Sequence, residues 1–336
     1  MLRSFPTPEI EAKWNAFALD APFATHYTTP NYFTDPYIKG ERFAVLAVET
    51  DGTIAAAVTG VSADDRIISG MFSRPQMIFR QGVDRSKAIG TLVHGANEIA
   101  ENHTKLIEIY SWEPLNEFAE HSMHVKLSND TTSVVMLDLS DGTDAIFAKF
   151  SQTRRNEIRK ALKQGLVEVK QLETDEELTE IYKIHCDWNE RKGNSPDTFE
   201  QMQIAVGQTA NRRIFIAKAD GKVIAGSFYR FCENGVVEYA ANFSMPEFQK
   251  LRPNDLIGWH AIQWAGDAGF SHFSMGGSHL FLRRFGGEVV QTYRYRRDKS
   301  LFKIHNLREN AREFGVQTYH RLPENIRSGV RRILDR

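Results

Sequence analysis

Two stretches of the chain, FAVLAVETDGTIAAAV at 43–58 and IFIAKADGKVIAGSF at 214–228, follow one pattern. Each is an apolar run, an Asp-Gly turn and a second apolar run. Asp-Gly between apolar runs is a strong β-hairpin signal, because both residues tolerate the positive φ angles of a tight turn. The sequence therefore predicts two similar hairpins, 169 residues apart from Asp51 to Asp220.

The agreement continues downstream of both hairpins. A helical pattern opens at Ala88–Gly90, and another opens at Leu256–Gly258 at nearly the same offset. Strand patterns then follow at 106–110 and 134–139 in the first half and at 270–275 and 289–296 in the second. We interpret the shared order, in which each half closes with its own strand, as an internal duplication. Two unrelated α/β domains are the alternative.

A helical insert is predicted between the halves. Ser151 suits the N-cap and Gly165 the C-terminal end of a short basic helix. A capping box from Thr174 opens a second helix, and Asp197 precedes a third. Strands that alternate with helices in this way indicate a layered α/β fold.

These stretches resemble a known family. The order of hairpin, strand, helix and strand is similar to the GNAT-type N-acyltransferase fold. Two such units, with FSQTRRNEIRKALKQG at 150–165, WNERKG at 188–193 and FLRRFGGE at 281–288, resemble the Fem family of peptidoglycan-bridge aminoacyltransferases. The resemblance implies two tandem GNAT-like domains, each a mixed sheet flanked by helices. They are residues 1–145 and residues 146–300 with a helical insert at 151–210, followed by a basic helical tail at 301–336.

The resemblance also implies an activity. It is the formation of an amide bond, with transfer of an aminoacyl group from charged tRNA to a cell-wall precursor. One alternative is N-acyl transfer from acyl-CoA or a carrier to a small amine or amino sugar, and another is a non-catalytic module that binds tRNA or an anionic surface. The acyl donor, aminoacyl-tRNA or acyl-CoA, is then a co-substrate, and we expect no tightly bound cofactor and no metal.

Two departures from the resemblance bear on the donor. Ordinary GNAT enzymes hold the acyl-CoA pyrophosphate in a glycine-rich loop at the start of their main helix, where backbone N–H groups face the anion. The matching segment here, Gln249–Asn254, contains no glycine. In the Fem family a lysine precedes the aromatic-Gly pair, whereas this chain has Leu282 at that position.

Candidate catalytic residues lie in the second half. Arg283 and Arg284 precede a Phe-Gly-Gly turn, where Gly286 permits positive φ or close approach of a ligand. Glu238 is a candidate base and Tyr239 a candidate for lining the cleft. Strand alternation puts these neighbours on opposite faces, and we favour Tyr239 as the one that faces the cleft.

Candidate substrate-binding residues are mostly basic. Arg154 and Arg155 on the basic helix suit phosphate recognition, since arginine binds phosphate through two parallel hydrogen bonds; a solvated helix face is the alternative. The remaining candidates are Trp188, Arg191 and Lys192 at the end of the second insert helix, and Asn254 and Asp255, which we expect as N-cap residues of the main helix of the second half.

Composition sets the outer limits. The 336 residues are 41% apolar and 25% charged, as in ordinary globular proteins, and two cysteines exclude a disulfide scaffold. The sequence lacks a transmembrane run and a signal-peptide pattern, so we expect a cytoplasmic protein. From Arg283 onward, 14 basic residues face 6 acidic ones. This basic segment predicts contact with tRNA or a membrane surface.

Overall fold

The computed structural model describes residues 1–321 and places them in two mixed β-sheets packed against helices. An apolar core forms on each sheet. The predicted class of fold, a layered α/β arrangement of mixed sheets flanked by helices, is confirmed. The helices are α1 (Pro8–Asp20), α2 (Arg85–Ile99), α3 (Thr143–Lys149), α4 (Gln152–Gln164), α5 (Asp175–Arg191), α6 (Phe199–Gly207), α7 (Pro253–Asp267), α8 (Leu280–Arg283) and α9 (Ile304–Arg321).

The strands divide between the two sheets. They are β1 (Glu41–Val48), β2 (Ile54–Ala63), β3 (Arg66–Met71), β4 (Arg74–Pro75), β5 (Met77–Phe79), β6 (Leu106–Ser111), β7 (His124–Leu127), β8 (Val134–Asp138), β9 (Glu168–Gln171), β10 (Arg212–Ala219), β11 (Lys222–Phe231), β12 (Val236–Ser244), β13 (His272–Ser274), β14 (Glu288–Val290) and β15 (Tyr293–Asp298). The first sheet has the order β1-β2-β3-β6-β15-β7, with β4 beside β3 and β5 beside β2. The second has the order β14-β8-β13-β12-β11-β10-β9.

The two sheets repeat one pairing scheme. Along β1-β2-β3-β6-β15-β7 the pairs are antiparallel, antiparallel, parallel, antiparallel and antiparallel. Along β10-β11-β12-β13-β8-β14 the pairs have the same senses in the same order. The main helices occupy the same place in the order of elements: α2 directly precedes β6, and α7 directly precedes β13. This shared topology is what an internal duplication produces.

The halves nevertheless exchange one strand each. The prediction that each half closes its own sheet is wrong, because β8 lies between β13 and β14 in the second sheet and β15 lies between β6 and β7 in the first. The predicted strand at 289–296 is in fact two strands, β14 and β15, which belong to different sheets. A division into domains after residue 145 therefore stays a proposal about duplicated units, since each sheet takes a strand from the other half.

The local signals of the hairpins and caps are confirmed. Both hairpins form, and each carries a bulge one or two residues before its turn, after Ala47 and after Ala217. The Oγ atom of Ser151 accepts a hydrogen bond from the Arg154 N–H, and Gly165 ends α4 with a φ of 63°. Thr174 forms its capping box.

One local prediction needs correction. The insert is not wholly helical, since β9 lies within it and extends the second sheet beside β10. The third insert helix begins where it is predicted, with Thr198 as its N-cap, since the Thr198 hydroxyl accepts the Gln201 N–H. The predicted tail is helical as far as α9 is described, and its residues 322–336 lie outside the described residues. No helix within residues 1–321 is long and apolar enough to cross a membrane.

Candidate active site

The second sheet forks at the end of β13. Strands β12 and β13 pair in parallel only over Val236–Glu238 and His272–Ser274. Beyond Glu238, β12 continues for six residues to Ser244 while staying paired with β11 on its other edge. Along this stretch, no described strand pairs with the edge of β12 that faced β13, and the Gly276 backbone approaches this edge at the Tyr239 carbonyl.

Three predicted site residues meet on the α7 face of this fork. Tyr239 is half-buried there, close enough to Arg154 and Asp255 for their charges to act on it. The Arg154 Nη1 atom lies 3.1 Å from Asp255 Oδ1. Its guanidinium stacks on the rings of Phe285 and Phe281, with 3.8 Å and 4.3 Å to their centroids. We call Tyr239, Arg154 and Asp255 the fork site.

The fork site contains an unpaired polar atom. Arg154 Nε is buried and finds no hydrogen-bond partner within the described chain. Buried polar groups normally have a partner, either in the protein or in water. The fork site is therefore able to bind polar groups of a substrate.

Burial determines the protonation of the fork site. Burial raises the pKa of Tyr239 above its ordinary value, more than the Arg154 charge lowers it. The phenol is therefore protonated at neutral pH. Burial also raises the pKa of Asp255, against the opposing effect of Arg154.

The start of α7 differs from the sequence prediction. The helix begins at Pro253 and the N-cap position is Arg252, which has a φ of 59° and makes no side-chain cap. The prediction that Asn254 and Asp255 cap the helix is therefore wrong, because both lie within the first turn. Pro253 has no N–H group and Asp255 adds a carboxylate at the positive end of the helix. This turn therefore lacks one backbone donor and carries a carboxylate, and both features disfavour a bound pyrophosphate.

The two arginines before the Phe-Gly-Gly turn have structural contacts. Arg283 donates through Nη2 to the Asp130 carbonyl at 3.1 Å and through Nε to the Ser278 carbonyl at 2.5 Å. Arg284 is exposed, and its carbonyl accepts the Ser151 N–H. Its charge nevertheless contributes, after burial, to the lowered pKa of Arg154, so Arg284 lies at the edge of the fork site.

The turn itself is shaped by packing. Gly286 has a φ of 75°, and a Cβ atom there would lie 2.1 Å from the Lys149 carbonyl oxygen. Gly286 is thus required for close approach of the protein's own backbone. Leu282, at the position of the family's lysine, is 3% exposed and belongs to the core of the second sheet.

The other predicted substrate-binding residues lie apart from the fork or at its rim. Arg155 donates to the carbonyls of Ala148 and Phe150, which ties α4 to the end of α3. Trp188 packs at the end of α5, with the Lys192 ammonium 5.8 Å from its ring centroid. The contacts of Arg155, Trp188 and Lys192 therefore stabilise the ends of helices.

Arg191 and Asn254 meet at the end of β12. Arg191 donates to the Ser244 carbonyl at 3.2 Å, and the Asn254 amide donates to Ser244 Oγ at 3.1 Å. Both side chains therefore flank the far end of the open strand edge.

Glu238 faces the opposite side of the sheet from Tyr239, toward the first half of the chain. Its side chain is 3% exposed and forms an ion pair with Arg74, which lies on β4 of the first sheet. Beside them, Arg230 donates a hydrogen bond to the Tyr27 hydroxyl. The contact between the two halves is thus built from charged groups.

Asp35 joins these groups into a buried network. Its Oδ2 atom lies 2.8 Å from His26 Nε2, 2.6 Å from Arg212 Nη2 and 3.5 Å from Arg230 Nη1. Burial alone would raise the pKa of Asp35, but the hydrogen bond with His26 and the Arg212 charge bring it to about 2. Burial lowers the pKa of His26 to about 4, so its imidazole is neutral at physiological pH.

A cleft opens at this network between the two halves. It has a volume of about 210 Å³ and adjoins a cavity of about 330 Å³, with which it shares Tyr37, Arg74 and Arg230. We call the two together the interdomain cleft. The polar residues that line its smaller part are Tyr37, Arg74, His185, Asp197, Arg212 and Arg230. Three guanidinium groups line this cleft, where Arg74 is paired with Glu238 and both Arg212 and Arg230 with Asp35.

The sequence predictions missed this cleft, although one signal pointed to it. The second hairpin places Arg212 directly opposite Arg230. Like charges across a strand pair are destabilising, so this register requires a buried acid nearby. Asp35 provides it, but a position 177 residues earlier in the chain cannot be found from the hairpin alone.

Comparison with known proteins agrees with this geometry. Residues 148–297 match the model of a family described as the acetyltransferase (GNAT) domain. The second half of the chain is thus a GNAT domain, and the protein is an acyltransferase. No curated protein matches the sequence significantly.

Solved structures extend the similarity over both halves. FemX aligns with a TM-score of 0.67 at 14% identity, covering 88% of this chain and 97% of FemX. The C-terminal domain of a putative lysylphosphatidylglycerol synthetase from Agrobacterium fabrum gives 0.60 at 10% identity, covering 89% and 95%. A tandem GNAT protein of the clavulanic acid pathway gives 0.52 at 10% identity, covering 89% and 97%. At these identities the comparison establishes the shared fold.

Proposed function

We propose that this protein forms an amide by moving an aminoacyl group from a charged tRNA to an amine of a cell-wall precursor, as the Fem-type resemblance implies. The observation that carries the proposal is the start of α7. Pro253 and Asp255 occupy the turn where a GNAT enzyme would hold the CoA pyrophosphate. A donor that does not depend on this phosphate site fits the fork better than acyl-CoA does.

The reaction needs few protein groups. The acceptor amine attacks the ester carbonyl of the aminoacyl group, the new C–N bond forms, and the C–O bond to the ribose breaks. One proton leaves the amine and one reaches the ribose oxygen. Holding the two reactants in line and stabilising the oxyanion supply much of the rate enhancement in such reactions.

The fork site and the interdomain cleft suit the two substrates. Tyr239 stays protonated at neutral pH and has the chemistry to donate a hydrogen bond to the ester or to the leaving oxygen. Arg74 and Arg230 line the interdomain cleft and suit the phosphate or carboxylate groups of the acceptor. Glu238 lies where the strands part and holds Arg74 at the edge of the interdomain cleft.

One observation favours a second function, N-acyl transfer from acyl-CoA. The family that matches residues 148–297 is described as an acetyltransferase domain. A CoA donor would then need a phosphate site other than the first turn of α7.

The test compares donors on the purified full-length protein. A mixture of charged tRNAs and acetyl-CoA are each incubated with a precursor peptide that carries a free amine, and the amide product is measured by mass spectrometry. We expect product from charged tRNA, and Arg74→Ala to lower kcat/KM for the acceptor by about tenfold or more, as expected for loss of a charged contact.

Arg80→Ala is the matched control. Arg80 is a partly exposed arginine of the same half and pairs with Glu49, away from the cleft. Its loss should leave the rate unchanged. Product from acetyl-CoA but not from charged tRNA would overturn the proposal in favour of the second function.

A further inference from the structure

The last described helix presents apolar side chains to solvent. Leu301 and Phe302, in the turn before α9, are 75% and 78% exposed, and Leu307 and Phe314 on α9 are 56% and 72% exposed. Leu307 and Phe314 are seven residues apart and therefore lie on the same face of the helix. We call these four residues the outer apolar face.

The opposite face of α9 attaches the helix to the first sheet through charge. Glu309 accepts hydrogen bonds from Lys126, Arg294 and Arg296, which lie on β7 and β15. These contacts outweigh the effect of burial and lower the pKa of Glu309 to about 2, so it is ionised near neutral pH.

A second polar contact fixes the same orientation. His305 is 5% exposed and its Nε2 atom lies 3.2 Å from Asp65 Oδ2. An ordinary surface helix packs its apolar stripe inward and turns its charges outward. In α9 this arrangement is reversed, because the charged face is held against the sheet.

Positive charge borders the outer apolar face. Lys303 and Arg308 are exposed at this border, whereas Arg312 lies toward the inner face, in the recess that His305 and Glu309 line. Residues 303–321 carry four basic residues, Lys303, Arg308, Arg312 and Arg321, against the two acids Glu309 and Glu313. Exposed Leu and Phe flanked by Lys and Arg on one helix are the features that bind a helix flat on an anionic bilayer. Nucleic acid would use the arginines but leave these four apolar side chains in water.

We propose that α9 and the turn before it dock this protein on the surface of an anionic membrane. The helix lies in the interface, its outer apolar face enters the lipid, and Lys303 and Arg308 contact the head groups. Glu309 and His305 hold the rest of the protein to the inner face of the helix. This docking requires no acyl donor or acceptor, so it does not depend on the proposed function.

The test is sedimentation of the full-length protein with vesicles. Equimolar phosphatidylglycerol and phosphatidylcholine is compared with pure phosphatidylcholine. We expect binding to the anionic vesicles and at least about tenfold weaker binding to neutral ones. The double variant Leu307→Ser and Phe314→Ser should weaken binding to anionic vesicles by about tenfold or more, because it removes the buried apolar contact.

Leu162→Ser is the matched control. Leu162 is 58% exposed on α4, and its replacement should leave vesicle binding unchanged. The thermal unfolding of the double variant should match that of the wild type, since both side chains are exposed in the fold. Equal vesicle binding by the wild type and the double variant overturns the proposal. So does tRNA binding or dimerisation through this face with no binding to vesicles.

Discussion

Arg154 and Asp255 form a buried ion pair, with side chains 3% and 7% exposed. Replacing Arg154 with Met leaves the Asp255 carboxylate in an apolar site without its partner. Breaking one side of a buried pair in this way costs about 3–5 kcal/mol. We expect Arg154→Met to lower the free energy of unfolding by that amount, measured by urea denaturation.

A double-mutant cycle separates the pair from its surroundings. Adding Asp255→Asn to Arg154→Met should recover part of the stability, because no uncompensated charge remains. Arg159→Met, an exposed change on the same helix, is the control and should cost less than about 1 kcal/mol. Stability of Arg154→Met equal to that of the wild type would show that the pair contributes nothing to the fold.

For single residues, the sequence predicted the face of a strand on which a side chain lies better than it predicted the residues that the side chain contacts. Strand alternation separates Tyr239 and Glu238, and the structure places Tyr239 against the α7 core and Glu238 against Arg74. Arg74 itself lies on a strand of two residues, which leaves no periodic signal in the sequence. Burial of Arg154 was also beyond prediction, since nothing local indicates that Asp255 lies opposite it.

Among the elements, the short 3-10 helix His26–Thr28 carries a titratable group at the contact between the halves. The folded pKa of His26 is about 4, below the ordinary 6.5. The unfolded chain therefore binds the proton first as pH falls, and stability is lost from about pH 6.5 down to about 4. We expect His26 to account for a loss of about 2 kcal/mol between about pH 7.5 and pH 5.

The variant His26→Gln isolates this contribution. It lacks the titrating group, so its deficit relative to the wild type should shrink as pH falls, as measured by urea unfolding at both pH values. His94→Gln, with a side chain 74% exposed, is the control and should leave the pH profile unchanged. Parallel profiles for the wild type and His26→Gln would contradict the prediction.

Hairpins and helix caps could be predicted because their signals are local. The Asp220-Gly221 turn and the Thr174 capping box each depend on residues within a few positions of one another. The exchange of β8 and β15 could not be predicted, because an apolar run predicts a strand but does not identify the sheet that the strand joins. The break between β14 and β15 spans only two residues, which is too short to register in a pattern of apolar positions.

For the molecule as a whole, the exchange makes the halves depend on each other. Strand β7 pairs only with β15 among the described strands, and β14 pairs only with β8. Fragments 1–145 and 146–336 would each lose an interior strand. We expect neither fragment to unfold cooperatively by itself, and the intact chain to unfold in a single transition, measured by circular dichroism.

Co-expression of the two fragments supplies the control, since together they contain every strand. A soluble complex of the pair with the melting curve of the intact chain would support mutual dependence. A cooperative melt of fragment 1–145 alone would contradict it.

The same exchange constrains synthesis on the ribosome. Strand β15 ends at Asp298, so the first sheet cannot close until the chain has been made as far as this residue. While the second unit is translated, the first hairpin and α2 lack β15. One edge of β6 is exposed during this time. Chaperone capture at that stage, rather than independent folding of an early domain, is the expected fate of the growing polypeptide.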